Sequence, residues 1–228
     1  MFDFTSDEIG NFIDENGKPL KGKKSEIEKS IAKAEEITKH LLGCTLVVGK
    51  EKYILSMLEL YYGGVGDTEH DWFRKRFKVL RKKPEMIKHT EIQQGKGLRI
   101  YLSSPTNQYQ RFDIVIGPDN VAVSVLVRGV LNSSLDRLGA RNGSPNKVLH
   151  ALKIKSKDHN QIIYLSKSSK FRLIDTHSKY VKMEGDVHRQ LRINICHDFE
   201  NKYSKRLNYS LSKYHKPIKR KSTIVKKT

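Results

Sequence analysis

Residues 56–70 read SMLELYYGGVGDTEH, and the rest of the chain can be interpreted around them. An apolar strand carries a carboxylate, Glu59, and an aromatic side chain, Tyr61, into a glycine-rich turn that is followed by His70. A hydrolytic site needs a base beside water, a flat surface on which a ring can stack, and backbone that a ligand can approach closely. The alternative is a buried strand whose Glu59 and His70 face solvent at a hairpin. The stretch alone leaves both interpretations open.

Size and composition restrict the class of protein. The 228 residues are enough for one domain with its own core, and nothing in the chain requires two. No apolar run approaches the roughly 20 residues that cross a bilayer, and the first residues lack the pattern of a secretory signal. We therefore expect an intracellular protein, cytoplasmic or associated with a bacterial nucleoid. Cys44 and Cys196 stand far apart in apolar surroundings, which argues against a disulfide framework and a Cys-based zinc site and favours buried thiols. No metal and no cofactor are expected.

The charge of the chain indicates its partner. Lysine and arginine number 44 against 25 aspartate and glutamate, a formal net charge of +19. A domain this basic usually binds a polyanion, and nucleic acid is the commonest one. Anionic membrane and acidic protein are the competing partners, but neither a basic amphipathic helix with a bulky apolar face nor a lipidation signal is present. The prediction is a DNA partner, no membrane partner, and a monomer without an obligate protein partner.

Composition also suggests how the chain is divided. Residues 1–23 turn from acidic to basic and are predicted to be a loosely ordered leader. A capping box at Ser25, followed by apolar residues at helical spacing, predicts a helix over residues 25–42 at the start of a domain that spans residues 24–196. Residues 197–228 are polar and basic, and they are predicted to be a basic tail that adds non-specific affinity for nucleic acid.

Apolar, Val- and Ile-rich segments joined by turn residues predict the sheet. They include CTLVV, YILSMLELYY, LRIYLS, YQRFDIVIG and VAVSVLVRGVL. At least five strands are expected in a mixed α+β single domain, with the first two paired as a hairpin. Arg128 interrupts the last of these segments. A charge inside a sheet must find a partner or line a cavity, and Glu59 is the obvious partner.

Two basic segments are candidate contacts for the DNA backbone. The stretch WFRKRFKVLRKK, which begins at residue 72, interleaves seven basic residues with aromatic ones; Arg74, Lys75 and Arg76 are its predicted phosphate contacts. The alternative is a solvated amphipathic helix with the aromatic side chains in the core, and the two interpretations are compatible. A Gly- and Pro-containing loop precedes a predicted helix that carries Lys147, where backbone N–H groups can meet a phosphate.

Five segments, in order, resemble motifs of the alkyladenine (3-methyladenine type) DNA glycosylase family. They are LLGCTLVV, MLELYYGG with the downstream His70, VSVLVRGV, GSPNKVLHALKI and RQLRINI. The resemblance covers roughly residues 30–196. It implies a formyltransferase-C-terminal-domain-like fold, with a curved and mostly antiparallel sheet flanked by helices. It also implies a monofunctional enzyme that flips a modified base out of DNA and hydrolyses its N-glycosidic bond, leaving an abasic site.

The resemblance assigns roles by position. Glu59 would be the general base that activates water against the anomeric carbon, and Arg128 would help to hold that water. Tyr61 and His70 would pack against the flipped base. Glu59 and Arg128 are also the two residues that the argument from buried charge predicts to be partners.

Departures from the family's pattern concern the base pocket. Ser103 and Thr106 stand where the family has a stacking and a wedging tyrosine, and Asp113 stands where it has an asparagine. These three residues remain the predicted base-binding set, but loss of an aromatic platform enlarges the pocket. The substrate is therefore expected to be either an alkylated purine or a bulky hypermodified base, such as a glycosylated base of phage DNA. The biological purpose would be DNA repair or antiviral defence, and the sequence leaves both open.

Two rival functions come from other classes. A non-catalytic nucleic-acid-binding protein would keep the fold and the charge without the chemistry. A nuclease would need a carboxylate cluster for metal, and Asp67, Glu69 and Asp71 beside His70 are the candidates; an exposed acidic turn explains them better.

Overall fold

The computed structural model describes residues 2, 4, 9, 24–62, 97–103, 111–116, 123–138, 145–159, 161–165, 168–190 and 208–214. Within these ranges the chain forms three α-helices: α1 Lys24–Leu41, α2 Pro145–Ala151 and α3 His177–Tyr180. It also forms ten strands: β1 Thr45–Val48, β2 Glu51–Tyr62, β3 Gly97–Ser103, β4 Arg111–Val115, β5 Val123–Leu131, β6 Arg137–Leu138, β7 Ile162–Tyr164, β8 Phe171–Ile174, β9 Val187–Gln190 and β10 Asn208–Leu211.

Helix α1 forms where the apolar spacing predicts it. Ala34, Ile37 and Leu41 recur every three or four residues, and all three are fully buried. The helix ends before Gly43, whose φ of +78° is a conformation that glycine adopts without steric cost. A Cβ atom at Gly43 would lie 3.0 Å from the Cβ of Tyr180, so the small residue also allows α3 to approach the start of β1.

The ten strands form one sheet that closes on itself. The hydrogen-bonded order is β6-β5-β4-β3-β7-β8-β1-β2-β10-β9, and an additional pairing of β2 with β5 closes seven of these strands into a barrel. Every pairing among the described strands is antiparallel except that of β7 with β8. The prediction of a mixed α+β single domain with a mostly antiparallel sheet is confirmed at this level, a curved sheet is consistent with the closure, and the β1–β2 hairpin forms as expected. Barrel closure was not predicted.

Strand β2 has two different faces. Leu58 and Leu60 belong to the main apolar core, which also takes in the buried side of α1 and the Val148–Leu149 pair of α2. Because side chains alternate along a strand, Glu59 and Tyr61 point the other way. This division places the candidate catalytic residues on the face opposite the core.

The predicted tail and leader are corrected by the structure. Strand β10, inside the predicted tail 197–228, pairs with β2 from Asn208 to Ser210 and buries Tyr209 in the core. Leu, Tyr and Leu alternate with polar residues at 207–211, a strand pattern that the basic composition around it had outweighed. In the predicted leader 1–23, Phe4 and Ile9 are buried in the same core, because two large apolar side chains gain more by burial than by exposure.

No helix in the described part of the chain is both long enough and apolar enough to cross a membrane.

The position of β10 makes a prediction about stability. Tyr209→Ala should lower the free energy of unfolding by about 3–5 kcal/mol, because it removes a large side chain that is 1% exposed. Met183→Ala is the matched control, since Met183 is 68% exposed, and its effect should stay within about 0.5 kcal/mol. Urea unfolding monitored by circular dichroism measures both. Equal midpoints for the two variants would show that β10 does not belong to the cooperative fold.

Candidate functional site

The face opposite the core carries polar side chains in register across five strands. Antiparallel pairing places one residue of each strand directly opposite the next, in the order Asn208, Glu59, Leu126, Asp113 and Tyr101. Residues opposite one another in a ladder project from the same face. The two carboxylates therefore share a face and are separated by one strand, about 10 Å at their Cα atoms.

A second row lies beside the first. It consists of Tyr61, Ser124, Val115 and Arg99, again paired in register from β2 to β3. Arg99 is 5% exposed and Ser124 is 7% exposed. This face therefore buries two acidic and two basic side chains, counting Arg128, which an ordinary sheet face packed for stability alone would not require.

Arg128 reaches this face from a β-bulge. The register between β2 and β5 runs from Leu58 opposite Val127 to Met57 opposite Gly129, so Arg128 is the extra residue. A Cβ atom at Gly129 would lie 3.1 Å from the Cβ of Met57, closer than ordinary contact, which explains why a glycine follows the arginine. A bulge redirects a side chain relative to a regular strand, and here the guanidinium meets Glu59.

Hydrogen-bond donors from three strands surround the Glu59 carboxylate. Arg128 Nη2 donates to Oε1 at 3.1 Å, and Arg128 Nε makes an ion-pair contact with Oε2 at 2.6 Å. The Tyr61 hydroxyl donates to Oε1. Asn208 Nδ2 donates to Oε2 at 3.0 Å. The predicted meeting of Glu59 and Arg128 is thus present in the structure, with two further polar partners.

Burial governs the electrostatics of this pair. Glu59 is fully buried and Arg128 is 6% exposed. Burial by itself lowers the pKa of the Arg128 guanidinium, but charge attraction and hydrogen bonding to Glu59 outweigh it, and the pKa is raised above its ordinary value. The guanidinium therefore stays charged and compensates the carboxylate, as a buried ion pair must.

The geometry differs from the predicted one in a way that matters for chemistry. A carboxylate offers about four acceptor positions; Arg128 Nη2, the Tyr61 hydroxyl and Asn208 Nδ2 donate to Glu59, and Arg128 Nε lies against Oε2 as well. Arg128 was expected to hold a water; it contacts the carboxylate itself. Tyr61 was expected to stack on a base; its side chain is 2% exposed and its hydroxyl binds Glu59. Before Glu59 can accept a proton from water, one donor must move.

The other predicted site residues fall into two groups. Asp113 is fully buried and accepts a hydrogen bond from Ser124 Oγ at 2.9 Å. Ser103 ends β3, and Lys147 is exposed on α2. The remaining predicted site residues lie outside the described residues, as do the acidic turn and the second cysteine: His70, Thr106, Arg74, Lys75, Arg76, Asp67, Glu69, Asp71 and Cys196.

Three residues of this face were missed from the sequence. Asn208 was detectable from the period-2 alternation around it, which marks a half-buried strand. Arg99 interrupts the apolar segment LRIYLS as Arg128 interrupts VAVSVLVRGVL. The argument that a charge inside a sheet must find a partner or line a cavity therefore applied to Arg99 as well. Ser124 carries no sequence signal, because a serine in a strand is common and only its hydrogen bond to Asp113 gives it a role.

Comparison with models of known protein families finds no family that matches this chain. Comparison with curated proteins finds no match either.

The buried pair predicts a coupled effect on stability. Arg128→Met should lower the free energy of unfolding by about 3–5 kcal/mol, because Glu59 remains buried without its compensating charge. The double variant Glu59→Gln/Arg128→Met should lose less than Arg128→Met alone, since no uncompensated charge remains. Denaturant unfolding of both singles and the double completes the cycle. Additive losses would show that the two side chains are not coupled.

Proposed function

We propose that this protein is a monofunctional DNA glycosylase on a formyltransferase-C-terminal-domain-like fold, in which Glu59 is the general base. The observation that carries the proposal is the Glu59 carboxylate, buried on the polar face with Arg128, Tyr61 and Asn208 around it. The resemblance to the alkyladenine glycosylases assigns Glu59, Arg128 and Tyr61 to one site, and their mutual contacts support that grouping. The net charge of +19 supports a DNA partner.

Catalysis would begin when substrate displaces a donor. Tyr61 is the donor best suited to move, because a phenol that rotates to pack against an inserted base leaves Oε1 able to accept from water. Arg128 and Asn208 would keep the carboxylate in place. The water oxygen would form a bond to the anomeric carbon, its proton would pass to Glu59, and the bond from that carbon to the base nitrogen would break. The products are the free base and an abasic site.

Among the described residues around Glu59 there is no lysine, so we propose that the enzyme does not cut the strand. DNA would be held by exposed basic residues such as Lys147, with Arg74, Lys75 and Arg76 as further proposed contacts. The protein would act as an intracellular monomer without a cofactor.

The base pocket would extend along the row toward β4. Asp113 and Ser124 form a hydrogen-bonded acceptor and donor on the same face as Glu59, one strand away. Such a pair suits the hydroxyls of a sugar better than the face of a purine. This observation favours a bulky hypermodified base, such as a glycosylated base of phage DNA, over an alkylated purine, and with it a role in antiviral defence over DNA repair.

One observation favours a second function. A buried carboxylate that accepts hydrogen bonds from three strands can serve as a purely structural connection. On that interpretation the protein is a non-catalytic nucleic-acid-binding protein on the same fold. Its affinity would depend on salt in the same way, but it would release no base.

Formation of abasic sites distinguishes the glycosylase from the non-catalytic binding protein. The protein should be incubated, without added metal, with plasmid DNA, alkylated DNA and heavily modified phage DNA, and then treated with alkali. We expect strand breaks on at least one modified substrate only after alkali, and a loss of about 100-fold or more in their rate with Glu59→Gln, because a general base contributes that much.

The controls make the outcome unambiguous. Glu51→Gln changes an exposed glutamate of the same strand and should leave the rate unchanged. Circular dichroism must show that Glu59→Gln is folded. Binding of all three DNAs with no release of base would instead establish the non-catalytic function, and breaks that require Mg²⁺ would establish a nuclease.

A separate prediction concerns the substrate. Asp113→Asn should reduce release of a glycosylated base by roughly 10- to 100-fold, because a hydrogen bond to a charged acceptor contributes about 1.5–3 kcal/mol. Release of an alkylated purine should change less than the release of the glycosylated base. Parallel rate measurements on the two DNAs test this, with Asp136→Asn, an exposed aspartate, as the control. Equal losses on both substrates would remove Asp113 from the sugar-binding role.

A further inference from the structure

A second cluster of polar side chains lies where α1 ends and β1 begins. His40, Cys44 and Asp175 place one nitrogen, one sulfur and one carboxylate oxygen all within 4.8 Å of one another. His40 Nε2 lies 2.9 Å from Asp175 Oδ2, and Cys44 Sγ lies 3.8 Å from Asp175 Oδ1. The thiol also approaches the carbonyl oxygen of His40 at 3.1 Å. His40 and Cys44 are separated by four residues, whereas Asp175 comes from the segment after β8.

The imidazole of His40 is held in one orientation from both sides. The ring of Phe2 stacks on one side, with centroids 3.7 Å apart and planes 5° apart, and the ring of His177 also stacks on His40 at 4.3 Å and 19°. His177 is itself fixed, because its Nδ1 lies 2.7 Å from the carbonyl oxygen of Leu42. Asp175 Oδ1 accepts from the backbone N–H of His177 at 3.2 Å. Surrounding groups of this kind orient the ligands of metal sites.

The two backbone segments that carry the cluster are also hydrogen-bonded to each other. Thr176 Oγ1 donates to the carbonyl oxygen of Gly43 at 2.6 Å and lies 2.9 Å from Thr45 Oγ1. Thr45 pairs with Ile174 in the β1–β8 ladder. The two segments that contribute the three side chains are thus fixed to each other before any ligand binds.

The distances can be compared with those of a tetrahedral zinc site. Metal–nitrogen and metal–oxygen bonds of about 2.0 Å at a tetrahedral angle place nitrogen and oxygen about 3.3 Å apart; with a metal–sulfur bond of about 2.3 Å, sulfur and oxygen are about 3.5 Å apart. Here His40 Nε2 lies 2.9 Å from Asp175 Oδ2, Cys44 Sγ lies 3.8 Å from Asp175 Oδ1, and one atom of each of the three side chains lies within 4.8 Å of the others. The three side chains are thus close enough to bind one ion after they adjust their positions.

We propose that His40 Nε2, Cys44 Sγ and the Asp175 carboxylate form a binding site for a zinc-like divalent transition metal, with water as the fourth ligand. A mixed nitrogen, sulfur and oxygen donor set suits zinc and excludes calcium and magnesium, which take oxygen ligands. The expectation of buried thiols without metal is revised for Cys44 by its two neighbours. This inference goes beyond the proposed DNA chemistry and uses none of the residues around Glu59. A bound metal ion would connect α1 to the segment after β8 through metal–ligand bonds.

The thiol must lose its proton for the metal to bind. On binding, the metal–sulfur bond replaces the S–H bond and the proton passes to solvent. Affinity should therefore rise with pH over the neutral range, because fewer protons then compete with the metal.

Cobalt is the probe that reports the ligands directly. The full-length protein should be stripped with chelator, dialysed and titrated with Co²⁺ under reducing conditions. We expect one equivalent to bind, with a near-ultraviolet sulfur-to-cobalt charge-transfer band and visible bands of tetrahedral intensity, and we expect Zn²⁺ to displace them. Cys44→Ala should abolish the charge-transfer band, and Asp175→Asn should weaken Zn²⁺ binding at least tenfold. His150→Ala, which removes an exposed histidine, should change neither.

The same experiment can overturn the inference. Absence of the charge-transfer band in the wild type would show that the cluster is only hydrogen-bonded and binds no metal. A band that survives Cys44→Ala would indicate an adventitious ion only. If Cys44→Ala fails to fold, Asp175→Asn decides, because wild-type zinc affinity in that variant would exclude the carboxylate as a ligand. Since the measurement is spectroscopic and uses no DNA, its result is independent of whether base release is observed.

Discussion

A carboxylate that is fully removed from solvent needs a positive charge or hydrogen-bond donors beside it. At Glu59 this requirement determines which side chains three strands place around the carboxylate. An unpaired charge at that depth would cost several kcal/mol. Strand β2 supplies the acid and the Tyr61 hydroxyl, β5 supplies the guanidinium of Arg128, and β10 supplies the amide of Asn208. The bulge at Arg128 and the glycine that follows it are the local changes in β5 that permit the contact. The site and this part of the barrel therefore depend on each other.

The sequence predicts those parts of the structure that depend on local periodicity or on a single charge. The spacing of Ala34, Ile37 and Leu41 predicts α1, and the Val- and Ile-rich segments predict most of the long strands. Arg128 in an apolar run predicts its own partner, because few groups can compensate a buried guanidinium. Register, bulges and barrel closure depend on contacts between distant segments. No local pattern places Asn208 beside Glu59 or Asp175 beside Cys44.

The misassigned segments have a common physical cause. Composition describes the average environment of a stretch, whereas burial is decided residue by residue. Phe4 and Ile9 stand in an acidic stretch and Tyr209 in a basic one, yet each is buried in the core. The charged neighbours determine how such a stretch meets solvent, and the isolated apolar side chains determine whether it is attached to the domain.

The distance along the chain between Glu59 and Asn208 has a kinetic consequence. Their hydrogen bond joins residues 149 positions apart, and β1 joins β8 across a comparably long stretch. Ladders between such remote segments form only after much chain entropy has been lost, so folds rich in them reach the native state slowly. The environment of the Glu59 carboxylate is therefore complete only once chain segments from both ends of the domain have met.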